Sequence, residues 1–342
     1  FCHRLVSVFL HLCNGLLIFA CGAWPRLGYR RSFVAAMAFL LIASHQEAVI
    51  WVAAVHELLV FGFLLLCLLG WVQWLRLRRA GWLAVTAIAF VLALYSKESA
   101  AVLPALLAGL WLCEGSRRRL DLSFIALALA ATLAYTWAVF AASEHHLHLH
   151  DGTFSLHAPF LANLLRTLWR IYLPWGITAL ALLACKRQFA PAVAALIFSV
   201  IALLPYSFLT YMPFAPSRHT YLATLGLAMT LAYAWDTMSR DESPRLRRFA
   251  TVAAVAFLLW NPLYLWIKKL PQYEWRSEPT EAFLQFARRH SRPVFVGPSP
   301  YSVWVYRYTA DVALGWKHSD VVSIAETEPP KGTPVFTYGL EP

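Results

Sequence analysis

The sequence predicts an all-α polytopic membrane domain of about ten transmembrane helices, followed by a small C-terminal extracytoplasmic α/β segment. Three observations carry this reading. The 342 residues are 60% hydrophobic and only 14% charged, where a soluble domain carries about a quarter charged residues. The charges are clumped, and the stretches between the clumps approach the ~20 apolar residues that cross a bilayer core. The clumps also alternate in kind along the chain. The apolar runs lack the period-two pattern of a barrel strand, so helices are the spanning elements that remain.

Apolar helices are predicted near 4–23, 31–44, 48–75, 80–96, 100–113, 121–142, 170–185, 188–209, 220–236 and 248–267. One set of connections is arginine-rich: Arg26, Arg30 and Arg31; Arg76, Arg78 and Arg79; Arg117, Arg118 and Arg119; Lys186 and Arg187; and Arg240, Arg245, Arg247 and Arg248. The other set holds Lys97 and Arg218, with Arg166 and Arg170 leading into a helix. The positive-inside rule places the first set in the cytoplasm. The net charge of +11 is therefore topological, and it does not mark a groove that tracks nucleic-acid phosphates. Lys268 and Lys269 run mildly against the alternation. The same count puts Phe1 outside and predicts a further helix upstream of it.

The helices over 31–44 and 100–113 are short for full spans, and each meets a polar stretch on the outer side. Polar backbone at membrane depth persists only where it is buried in protein or faces a watery cavity. Residues 160–170 read as an amphipathic helix, with Leu161, Leu164, Leu165 and Leu168 on one face and Asn163, Arg166 and Arg170 on the other. Past residue 270 the composition changes. Residues 271–342 predict helices over 281–290 and 300–314, and strands over 293–297, 320–324 and 334–338. Lys268-Lys269-Leu270-Pro271 reads as the end of the last membrane helix. The six cysteines form no CxxC pattern and imply neither a disulfide framework nor a zinc site.

Four polar clusters carry candidate chemistry. In Ser44-His45-Gln46-Glu47-Ala48-Val49-Ile50-Trp51, Glu47 and Trp51 share a helical face. They suit a sugar, the acid accepting hydroxyl hydrogens and the indole stacking. They equally suit a dipole-favoured acid and an interfacial anchor. His56 and Glu57 follow inside an apolar run, where ionisable groups face a cavity or pair between helices. Ser96-Lys97-Glu98-Ser99 offers Lys97 to an anion and Glu98 to a polar group, or is a solvated loop. Arg218, isolated where a helix begins, fits a phosphate with its planar fork or snorkels to headgroups. The alternating histidines of 145–151 form a weak metal candidate that reads better as a solvated loop.

In order and placement these clusters resemble the GT-C superfamily of polyprenyl-phosphate-sugar-dependent glycosyltransferases, closest to O-mannosyltransferase-like members. His3-Arg4-Leu5-Val6 with His11-Leu12-Cys13-Asn14, His45-Gln46-Glu47-Ala48-Val49-Ile50-Trp51, Ser96-Lys97-Glu98 with Pro104, Arg218-His219-Thr220-Tyr221, and Tyr273-Glu274-Trp275-Arg276 carry the likeness. The resemblance implies inverting transfer from a polyprenyl-phosphate-linked sugar to a hydroxyl on a protein, lipid or glycan. It implies a multi-pass enzyme, in a bacterial inner membrane, with its active face extracytoplasmic. His45, Glu47, Trp51, Lys97, Glu98, Arg218 and Tyr221 would contact substrate, and His56 and Glu57 would line the cavity. No cofactor is certain, and a divalent metal is compatible. The chain departs from the family in three ways. It has Val55 where the family's W-x-S-G-R ends in arginine, Ser217 where a glutamate precedes Arg218, and no TPR repeats. The family's acidic catalytic loop would precede Phe1, so the general base is expected upstream. A multi-pass transporter, with midplane sites and repeats, and a non-catalytic membrane scaffold are the rival readings.

Overall fold

A computed structural model describes residues 2–116, 118–142, 153–210 and 212–339. The histidine run of 145–151 lies outside the described residues. The chain divides into two compact units, Phe1–Pro262 and Leu263–Pro342.

The first unit is helical. Its helices are α1 (Cys2–Ala20), α2 (Tyr29–Leu41), α3 (Gln46–Ile50), α4 (Val55–Leu77), α5 (Ala80–Ser96), α6 (Leu103–Glu114), α7 (Arg119–Ala141), α8 (Phe160–Tyr172), α9 (Trp175–Cys185), α10 (Phe189–Leu203), α11 (Thr224–Ser239) and α12 (Pro244–Tyr264). By length and apolarity, five runs can cross a membrane: Arg4–Ala23, Val55–Leu77, Arg119–Ala141, Phe189–Phe208 and Pro244–Arg289. There are up to seven if the bent pairs Tyr29–Leu41 with Ala43–Ile50, and Phe160–Tyr172 with Trp175–Cys185, each count as one. Ten apolar segments are thus helical, but among the described residues ten full-length spans are not found. Several helices are too short because 3-10 turns and bends consume their ends.

Three of those interruptions matter here. The expected continuous helix over 48–75 is broken: α3 stops where Trp51 turns extended, and a 3-10 turn over Val52–Ala54 precedes α4. Ile42 is also extended between α2 and the next 3-10 turn. The Ala43 N–H released at that break donates to Asn261 Oδ1 at 2.9 Å. A buried backbone donor needs such a partner. The expected helix over 188–209 ends at Leu203. Pro205 cannot donate an N–H to an α ladder, and residues Leu204–Phe208 tighten into a 3-10 turn.

The main core is an apolar cluster centred on α2, α4, α5, α6 and α11, with Phe39, Phe61, Leu64, Trp71 and Leu107 fully buried, and a smaller cluster joins Ala179, Leu183, Ala192 and Ala234. Close approach depends on small residues. A Cβ on Gly226 of α11 would meet Ser199 Oγ at 2.1 Å and Ala195 O at 2.3 Å on α10, so only glycine fits.

The second unit is α/β, as its composition suggested. Helical backbone continues through a π turn at Leu265–Lys269 into α13 (Leu270–Arg289). The expected stop at Lys268-Lys269-Leu270-Pro271 is absent, because the π turn over Leu265–Lys269 shifts the hydrogen-bond ladder and carries the helix past Pro271. Strand β1 (Val294–Val296), α14 (Val303–Leu314), β2 (Val321–Ser323) and β3 (Val335–Phe336) follow. The strands form a parallel sheet in the order β2-β1-β3. Phe283, Tyr306, Val321 and Phe336 are buried against it.

Candidate functional site

Three sequence-distant polar stretches converge at one end of the first unit. Each arrives on a backbone irregularity. Glu47 sits on short α3, Lys97 is the extended residue that ends α5, and Arg218 and His219 lie in a 3-10 turn over Ser217–Thr220 that leads toward α11. A continuous helix would carry these side chains past one another, whereas the breaks turn them toward a common point.

Glu57, on the first turn of α4 and 2% exposed, is the centre. Its Oε1 accepts from the Lys97 ammonium and from His219 Nδ1 at 2.6 Å. Its Oε2 accepts from the Tyr206 hydroxyl at 2.9 Å. The His219 ring stacks on Tyr206 with centroids 4.6 Å apart. A buried carboxylate is tolerated only with such a set of donors. Because Nδ1 faces a carboxylate oxygen, the proton of a neutral His219 is assigned to Nδ1.

Nearer the surface lies a second pair. Arg218 Nη1 donates to Glu47 Oε1 at 3.1 Å, and the Arg218 backbone N–H donates to Glu47 Oε2 at 3.2 Å. The guanidinium covers the Trp51 ring at 4.5 Å. Trp51 closes α3 with its N–H on Glu47 O at 3.2 Å, one helical turn along, and Arg218 bridges the two side chains on that turn. The side chains of Arg218 and Glu47 are 21% and 25% exposed, against 11% for Lys97, so they form the outer layer. His56, partly exposed at the start of α4, lies within the fields of Lys97, Glu57, Glu98 and Arg218. Glu98 opens the 3-10 turn that follows Lys97 and is exposed.

Burial sets the titration of the two groups outside the helical spans. Desolvation holds the His219 imidazole down at about 4, against the opposing pull of Glu57. Desolvation likewise lowers the Lys97 ammonium from the usual lysine range, and Glu57 pulls it back up.

Two expected site residues lie elsewhere. His45 is buried, its Nε2 within 2.6 Å of Thr224 Oγ1 and its ring against Phe39 and Tyr221. Tyr221 is fully buried, and its hydroxyl meets His11 Nδ1 at 2.7 Å and Asn14 Nδ2 at 3.2 Å. Both therefore sit behind the 3-10 turn that carries Arg218. The roles of His219 and Tyr206 were not anticipated. The signals were present, since His219 follows Arg218 and Pro205 marks the turn bearing Tyr206.

The same helices carry arginines at their opposite ends. Arg30 and Arg31 at the start of α2, and Arg240 after α11, all bind Asp236 at 2.8–3.3 Å. Arg78, after α4, binds Asp121 at the start of α7 at 2.6 Å. Helices α2, α4, α5 and α11 thus run between an arginine-carboxylate end and the Glu57 cluster.

Among the described residues, no three His, Cys, Asp or Glu side chains are grouped to hold a metal ion. Compared with protein-family models, curated proteins and solved structures, the chain matches none.

Proposed function

We propose that this is an integral-membrane glycosyltransferase that moves a sugar, with inversion, from a polyprenyl-phosphate donor to an acceptor hydroxyl. Its cluster of Glu47, Lys97 and Arg218 would face the extracytoplasmic side, and its arginine-carboxylate ends the cytoplasm. The observation that carries the reading is the gathering of two cations, two carboxylates and a tryptophan at the opposite helix ends from the arginine groups on Asp236 and Asp121. Motif order supports it, because the stretches that converge are those that resemble the GT-C transferases.

In the reaction the acceptor oxygen attacks the anomeric carbon and its proton passes to a carboxylate base. The bond from that carbon to the phosphate oxygen breaks, and the electron pair leaves with the lipid phosphate. Charge grows on the phosphate, so fixed cations stabilise the transition state more than the ground state. Lys97 and Arg218 take this role. Carboxylates already hold both in place, so little is spent orienting them when the donor arrives. The phosphate must compete with Glu47 for the guanidinium fork, and the displaced Glu47 is then free to accept sugar or acceptor hydroxyls beside Trp51.

The test is transfer from a labelled polyprenyl-phosphate sugar by the full-length protein, with the segment expected upstream of Phe1, in proteoliposomes. Arg218→Ala and Lys97→Ala should each lower turnover by about a hundredfold or more, on the scale of removing one transition-state donor. Unchanged turnover in both variants overturns the assignment. Accumulation of the intact lipid-linked sugar with no bond broken would mark a transporter instead.

A further inference from the structure

Helix α8 is built inside out for a soluble protein. Buried Asn163 and Thr167 bind backbone, Asn163 Nδ2 donating to Leu209 O at 3.0 Å and Thr167 Oγ1 accepting from the Ala215 N–H at 2.9 Å, and Arg170 donates to Ala215 O at 3.3 Å and Ser217 Oγ at 2.8 Å. Leu161, Leu165 and Trp169 face outward and are more than half exposed. One open groove of about 690 Å³ runs beside this face, a volume within the range of small-molecule sites. Leu165, Leu168 and Trp169 of α8 line it, with Ile177 and Leu180 of α9 and Leu196 of α10. Among the described residues, Arg166 is its one charged lining residue, and no acid lines it.

We infer that this groove binds an anionic glycerophospholipid, an acyl chain along the apolar wall and the headgroup phosphate on Arg166. Three features select this occupant. The wall matches hydrocarbon, and the single cation matches an anionic headgroup. Trp169 has the amphipathic ring that favours the headgroup level. The lining also offers no second charged side chain to read a sugar or a longer polar headgroup, so recognition rests on charge and chain. The site is separate from the Glu57 cluster. Arg170, one turn along from Arg166, points instead to the segment before Arg218.

The test uses the full chain in nanodiscs of phosphatidylcholine containing a photoactivatable phosphatidylglycerol, with labelled peptides mapped by mass spectrometry. No catalytic activity is required. Labelling should concentrate within 165–196. Arg166→Gln, an exposed change that spares the fold, should lower phosphatidylglycerol labelling there about fivefold, the worth of one basic residue at an anionic surface. A phosphatidylcholine probe should be unaffected. Leu196→Trp, which fills the groove, should lower labelling by both probes. Uniform labelling over the apolar exterior, or indifference to Arg166→Gln, would show ordinary boundary lipid and overturn the inference. Displacement by polyprenyl phosphate but not by unlabelled phosphatidylglycerol would also overturn it.

Discussion

Glu57 is the residue on which the cluster depends. It is buried with three donors around it, Lys97, His219 and Tyr206, so removing one cation leaves a charge without its strongest partner. Lys97→Met should cost about 3–5 kcal/mol of stability, and adding Glu57→Gln should recover most of it. Thermal unfolding of the single and double variants in detergent measures this, and a single-variant cost below about 1 kcal/mol would refute it. His219 adds a pH dependence. Its folded value of about 4 lies below the ordinary value of 6.5. Between those values the unfolded imidazole binds a proton and the folded one does not. Stability is therefore complete above pH 6.5 and falls as pH drops toward 4. His219→Gln should flatten that part of the unfolding profile, and an unaltered slope would show another group responsible. At this scale Lys97, Arg218 and Glu47 were legible, because isolated charges stand out in an apolar chain. Tyr206 was not, because a tyrosine beside an apolar run signals nothing until a carboxylate from a distant helix meets it.

At the level of elements, the sequence showed where helices lie better than where they break. Periodicity located α5, α7 and α14 closely, since their apolar runs are bounded by charge or glycine. The break at Trp51 left no proline or glycine to see. It is sustained by tertiary contacts, chiefly Arg218 on Trp51 and Glu47. Helix α8 shows a related limit. Its amphipathicity was evident, but the expected apolar face is divided, with Leu164 buried and Leu161 and Leu165 exposed. The reason is the irregular backbone of residues 207–210 and 212–217, whose polar groups would otherwise lack partners. Asn163 and Thr167 turn inward to supply them, and the more exposed Arg170 reaches Ala215 O. A spin label at Leu165→Cys should accordingly be more accessible to oxygen than to a water-soluble relaxant. The reverse preference would place this face in water.

For the molecule as a whole, the alternation of arginine-rich and polar connections was the most informative feature of the chain. In four helices, α2, α4, α5 and α11, an arginine-carboxylate end lies opposite the Glu57 cluster. Length was less reliable than alternation, and five to seven candidate spans replace the ten expected. Compositional change located the second unit, although the division falls at Pro262 and Leu263, earlier than residue 270. The parallel order β2-β1-β3 could not be read from three short strands, since pairing is set by how α14 and the later turns return the chain. The central claim is that Lys97 and Arg218 form one site for a lipid phosphate, and the affinity of the full chain in nanodiscs for polyprenyl phosphate tests it most directly. Lys97→Met and Arg218→Met should each weaken binding about tenfold or more, the worth of a charge-assisted hydrogen bond. Affinities within twofold of the unaltered chain in both variants would contradict it.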